Sequence, residues 1–200
     1  MDVVQLLQRH AGQWSRATRH PLLLAVRDGG LAPAAFDTWL AQDYRFVDAL
    51  LGFQARLLGR APRHAQAVLA GGLVALVEEL SWFERLAVER DIDLTATPRP
   101  ATVGYGQLLN ELDKAQFPLA LTMLWAIERT YLDAWSFAAP GAAAYRAVVE
   151  HWTTPGFAAY VDALAVAATH TQPDQAAVDQ NLPRVIDAEI AFWDMAWESP

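Results

Sequence analysis

Apolar side chains recur at intervals of three and four along almost the whole of this chain, and alternation with a period of two never outlasts a turn. A chain patterned this way folds as helices packed on helices. Val3, Leu6 and Leu7 begin a stripe that Trp14 continues, and His20-Pro21 ends or bends that helix. A short helix over 22–26 closes at Asp28-Gly29-Gly30. Phe36, Leu40, Tyr44, Val47, Leu50, Leu51, Leu57 and Leu58 then mark a long amphipathic helix, with Pro33 in its first turn and Gly59-Arg60-Ala61-Pro62 at its end. A second long helix covers about 64–90. It contains Gly71-Gly72, which weaken a helix by about 1 kcal/mol each and mark a kink or a close helix crossing.

A turn-rich linker over 95–100 carries Pro98 and Pro100. Helices are predicted over 105–113, 118–135 and 142–152, with a break before Pro140-Gly141 and Gly104-Tyr105-Gly106 as a loop-to-helix junction. Thr154-Pro155 reads as an N-cap with proline at the first helical position, opening a helix through Ala168. Pro173 begins the last helix, Asp174 and Gln175 occupy its first turn, and Pro183 predicts a kink or a restart. Each half of the chain alone is too small to bury its stripes well, so the expectation is one all-α domain over 1–200 rather than two.

The formal charge is -8, and no basic stripe interleaves with aromatic residues, which argues against a nucleic-acid partner. The chain has no cysteine, so disulfides, thiolate nucleophiles and cysteine-bound zinc are excluded. The opening MDVVQLLQRH lacks a basic segment followed by a long apolar one, and no run approaches 18 uninterrupted apolar residues. The expectation is a cytoplasmic protein without a membrane span.

Against this background four acids stand out, because each falls on an aromatic or apolar stripe. Asp43 shares a face with Trp39, Phe46 and Val47. Glu79 shares one with Trp82 and Phe83. Glu128 has Leu124, Trp125, Tyr131 and Leu132 as its neighbours one turn away. Glu189 has Val185, Ile186, Phe192 and Trp193, none of which can compensate a charge. A carboxylate in such surroundings finds a partner or takes up a proton. A structural tie to another helix accounts for each of them, an arginine across the bundle being the obvious partner for Glu79. Ligand recognition at Asp43 and acid–base chemistry at Glu189 are the functional alternatives. A di-iron bundle requires Glu-x-x-His twice, and the motif does not occur, so no metal is expected. No P-loop, dinucleotide fingerprint or nucleophile elbow is present either.

In order along the chain, His20-Pro21 with Asp28-Gly29, then Phe36…Trp39-Leu40…Gln42-Asp43-Tyr44, then Glu79-Leu80, then the aromatic-rich segment 145–157, then Glu189-x-x-Phe192-Trp193-Asp194-Met195-Ala196 resemble the TenA, or thiaminase-II-type, family. The resemblance covers nearly the whole chain, and the closing motif is its most specific part. It implies an all-α, haem-oxygenase-like bundle that binds no haem. It implies hydrolysis of thiamin or its damaged pyrimidine fragments and assembly into a homo-oligomer, a dimer or tetramer. Asp43 would bind the aminopyrimidine ring and Glu189 would serve as the acid–base residue.

The chain departs from the better known branch of that family. Leu124 stands where a nucleophilic cysteine is expected, Glu128 replaces a tyrosine, Phe46 replaces a tyrosine, and Trp152 replaces another. It therefore looks like the cysteine-less branch, whose members resemble aminopyrimidine hydrolases of thiamin salvage. Covalent cleavage of thiamin does not fit, because leucine cannot attack. The expected machinery is Glu189 and Glu128 as a carboxylate pair. Asp43, Phe46, Glu79, Trp82, Tyr131, Trp152 and Trp193 would bind the substrate, and no cofactor is needed. A binding module that encloses a small aromatic ligand without turning it over is the rival reading.

Overall fold

The computed structural model describes residues 3–198, and among these every regular element is a helix. The order is α1 (Val3–Arg9), α2 (Ala11–Thr18), α3 (Pro21–Asp28), α4 (Pro33–Gly59), α5 (Arg63–Arg90), α6 (Pro100–Lys114), α7 (Phe117–Ala138), α8 (Arg146–Trp152), α9 (Pro155–His170) and α10 (Gln175–Trp197). Prolines stand in the first turn of α3, α4, α6, α7 and α9, where a missing N–H costs nothing. Thr154 and Asp174 cap α9 and α10 by accepting from the backbone N–H groups of Phe157 and Ala176. Asp174 is thus the cap of α10 rather than part of its first turn.

Burial along each helix follows its apolar content. α7 buries residues on every side, from Ala120 to Ala138, and lies at the centre against α9, α10, α2, α3 and α8. α4 packs along α5 and α6, and α10 closes the bundle against α7, α2 and α6. α5 is the least covered. Ala65, Leu69, Gly72, Leu76, Phe83 and Ala87 form its narrow buried seam, while Val74, Val77 and Val88 are exposed. By length and composition α5 is long and apolar enough to cross a membrane, although its apolar residues are interrupted by polar ones.

Four local readings change or sharpen. The N-terminal stripe is broken at His10 into two short helices. The turn 143–145 delays α8 to Arg146. Gly104-Tyr105-Gly106 is interior to α6 and not a junction, because Pro100 starts that helix four residues earlier. Pro183 neither ends nor restarts α10, which runs through it.

The linker before α6 does not separate two halves. The Gln42 side chain accepts from the Arg99 N–H (2.8 Å) and the Thr102 hydroxyl (2.7 Å) and donates to the Thr97 carbonyl, which fastens the linker to α4. The glycine pair in α5 resolves as a close crossing. A Cβ on Gly72 would lie 2.2 Å from Nε2 of Gln54 and 2.4 Å from the Tyr160 hydroxyl oxygen, whereas one on Gly71 would meet nothing within 4 Å.

Candidate active site

The four acids singled out by pattern come from α4, α5, α7 and α10, helices that pack around a common interior. Asp43, Glu128 and Glu189 are buried and Glu79 is half-buried. No basic side chain is among the groups that perturb the charges of Asp43, Glu79, Glu128 or Glu189.

Each acid has a distinct setting. The Tyr131 hydroxyl donates to Oδ2 of Asp43, while Oδ1 is buried without a protein partner. Burial raises the Asp43 carboxyl well above the usual range, against the Tyr131 hydrogen bond, and the charges of Glu79 and Glu189 add to the rise. Oε1 of Glu189 accepts from the Tyr105 hydroxyl at 2.5 Å; burial raises this acid to about 8 despite that bond. Glu128 is also pushed to about 8, by burial and then by the charges of Glu79 and Glu189. Glu79 rises to about 7 through desolvation, offset by the Trp152 indole N–H, which donates to its Oε1 at 2.8 Å. The partner of Glu79 is therefore an indole and not an arginine. Tyr131 serves Asp43 rather than the acid three residues before it.

Phe46, Glu79, Glu128, Tyr131, Trp152 and Phe157 are among the residues around a small hollow with room for about one water molecule, ≈ 20 Å³. Asp43 and Glu189 stand behind its wall, tied to Tyr131 and Tyr105, and Phe46 packs on Tyr105 with ring centroids 4.4 Å apart. A six-membered ring enters this hollow only once a side chain moves. Trp193 lies in the second layer, stacked on Tyr131 (5.8 Å, 16°). Trp82 faces a separate and much larger groove of ≈ 1200 Å³ between α5 and α9. Glu79 and Phe157 border both spaces.

Leu124 is completely buried, so the position offers no reactive group. Tyr105 was not anticipated as a site residue. Its signal was present in the sequence, since Tyr105, Leu108, Leu109 and Leu112 form an ordinary helical stripe once α6 is extended back to Pro100. Among the described residues, no group of three or more His, Cys, Asp or Glu is placed to hold a metal ion.

The described residues form an all-helical bundle that buries carboxyl groups among aromatic rings at its centre, as the resemblance to the TenA type implies. Residues 7–199 match the model of the TENA/THI-4/PQQC family. A Glycine max protein described as a "Probable bifunctional TENA-E protein" is 32% identical over 209 residues, covering 95% of this chain and 90% of that protein. The chain belongs to the TENA/THI-4/PQQC family. Solved structures agree in fold: a TenA homologue from Pyrococcus furiosus superposes with a TM-score of 0.93 at 24% identity, covering 98% of this chain and all of the other. A TenA homologue from P. horikoshii OT3 gives 0.89 at 18%, covering 99% of each.

Proposed function

We propose that this protein hydrolyses the C–N bond of an aminomethyl or formylaminomethyl pyrimidine derived from degraded thiamin. The observation that carries this reading is Asp43, whose buried Oδ1 has no protein partner while Oδ2 is held by Tyr131. Burial raises the pKa of this carboxyl, which favours its protonated form. A carboxylic acid both donates and accepts, which matches the ring nitrogen and adjacent amino group of an aminopyrimidine.

The chemistry follows from the two acids raised to about 8. Both are held protonated through most of the neutral range, and once Glu189 ionises its charge helps to keep the proton on Glu128, which leaves one acid ionised and one protonated. The protonated acid gives its proton to the departing nitrogen as the bond to the methylene carbon breaks. The ionised one takes a proton from the attacking water. The products are the hydroxymethyl pyrimidine and ammonia, or formamide from the formyl substrate. Glu189, fixed by Tyr105, is the acid–base residue of defined orientation, and Glu128 borders the hollow where water fits.

Turnover of both pyrimidines by the purified protein, followed as release of the hydroxymethyl product, tests this. Glu189→Gln is expected to lower kcat by about 100-fold or more. Full turnover in that variant removes the catalytic role of Glu189. Binding of the pyrimidine by wild-type protein without any product establishes the rival, a ligand-binding module.

A further inference from the structure

The hollow does not end at its own wall. Glu79 and Phe157 also border the groove between α5 and α9, which is far larger than one pyrimidine requires. Just outside this junction the Trp82 and His151 rings stack on each other, with centroids 4.2 Å apart and planes at 11°. Trp152 meets both edge-on, at 5.1 Å and 4.7 Å, and so holds the pair upright from behind. Trp152 also donates to Glu79, so the same indole supports the plate and the junction. Burial and the nearby Arg85 charge lower the His151 pKa, which keeps this ring uncharged at neutral pH and suited to apolar stacking. The groove wall beside the plate carries Glu78 and Arg85, one turn on either side of Trp82, together with small residues, among them Ala75, one turn before Glu79 on the same face of α5.

We infer that this end of the groove is a second subsite, which takes a planar apolar substituent carried on the exocyclic nitrogen of the pyrimidine and stacks it against the Trp82–His151 plate. The inference rests on the pyrimidine reading above. The ring lies in the hollow, the nitrogen lies at the junction beside Glu79, and the substituent extends past Phe157 into the groove. The site thereby favours N-acylated pyrimidines with flat acyl groups over those with small ones.

The test compares the N-formyl and N-benzoyl derivatives of the aminomethyl pyrimidine, two neutral amides that differ by one flat ring, in calorimetric titrations. Wild-type protein is expected to bind the benzoyl compound about fivefold more tightly or better, the yield of one aromatic stack. His151→Ala removes half of the plate, and Ala75→Leu fills the groove beside it from an exposed position. Both variants are expected to move the ratio of the two affinities toward one. A ratio near one in wild-type protein, with both compounds bound, overturns the subsite and leaves the pyrimidine reading standing. So does a ratio that neither variant changes. Binding of the benzoyl compound alone supports the groove and removes the pyrimidine from the hollow, while binding of neither overturns both.

Discussion

The hydroxyl of Tyr105 on α6 donates to Oε1 of Glu189 on α10 at 2.5 Å, and both residues are buried. This bond stabilises the charged form of Glu189 and so opposes the effect of burial on how readily that acid ionises. Tyr105→Phe removes it. The Glu189 pKa is expected to rise further, and the pH–rate profile for the aminomethyl pyrimidine is expected to shift upward. A loss of about tenfold in kcat at neutral pH accompanies the shift. An unchanged profile would show that Glu189 does not control the rate.

The raised acids make stability depend on pH in a definite direction. Glu128 and Glu189 lie at about 8 in the folded chain and Glu79 at about 7, against roughly 4.3 when unfolded. Between those values the folded state holds more protons than the unfolded one, so stability falls as pH rises. Their contribution is complete below about pH 4.3 and is lost by the time pH exceeds about 8. Tm is expected to be higher at pH 5.5 than at pH 9, by on the order of 5 °C. In Glu128→Gln the decline is expected to be shallower, as scanning calorimetry at both values would report.

The two central glycines of α5 are expected to respond oppositely to the same change. Gly71→Ala adds a methyl group to open space and removes a flexible residue from a helix, a gain of about 1 kcal/mol. Gly72→Ala drives its Cβ into Gln54 and Tyr160, whose hydroxyl donates to Oε1 of Gln54. A loss of about 1–3 kcal/mol is expected there. Urea unfolding of the two variants side by side separates the effects.

Asp43→Leu keeps the approximate size of the side chain and removes both its donor and its acceptor, including the oxygen that accepts from the Tyr131 hydroxyl. Affinity for the aminopyrimidine is expected to fall by about 10- to 100-fold with a smaller change in Tm. Equal affinity in calorimetry would remove Asp43 from ring recognition.

Much of this was legible before the structure. The helical class followed from apolar spacing, and the acids of interest followed from their position on aromatic stripes. Asp43 and Glu189 are as buried as that position required. Spacing could not supply partners across the bundle. A stripe says that Glu189 must find a donor but not that the donor is Tyr105, 84 residues away. Nor could it separate a ring that faces the hollow from one that supports it. Trp152 borders the hollow and Trp193 stands behind Tyr131, although each occupies an equally apolar helical face. Pro183 left a kink or a restart open, and α10 continues through it without a restart, because a helix held by packing on both flanks tolerates one missing hydrogen bond.

Phe157 forms part of the partition between the open groove and the water-sized hollow. On the pyrimidine reading, encounter with the protein surface and capture in its interior would be separate events. A ligand arriving in the groove would wait for that phenyl ring to swing aside. At high ligand concentration the observed association rate would level off at the frequency of that swing, well short of the diffusional ceiling.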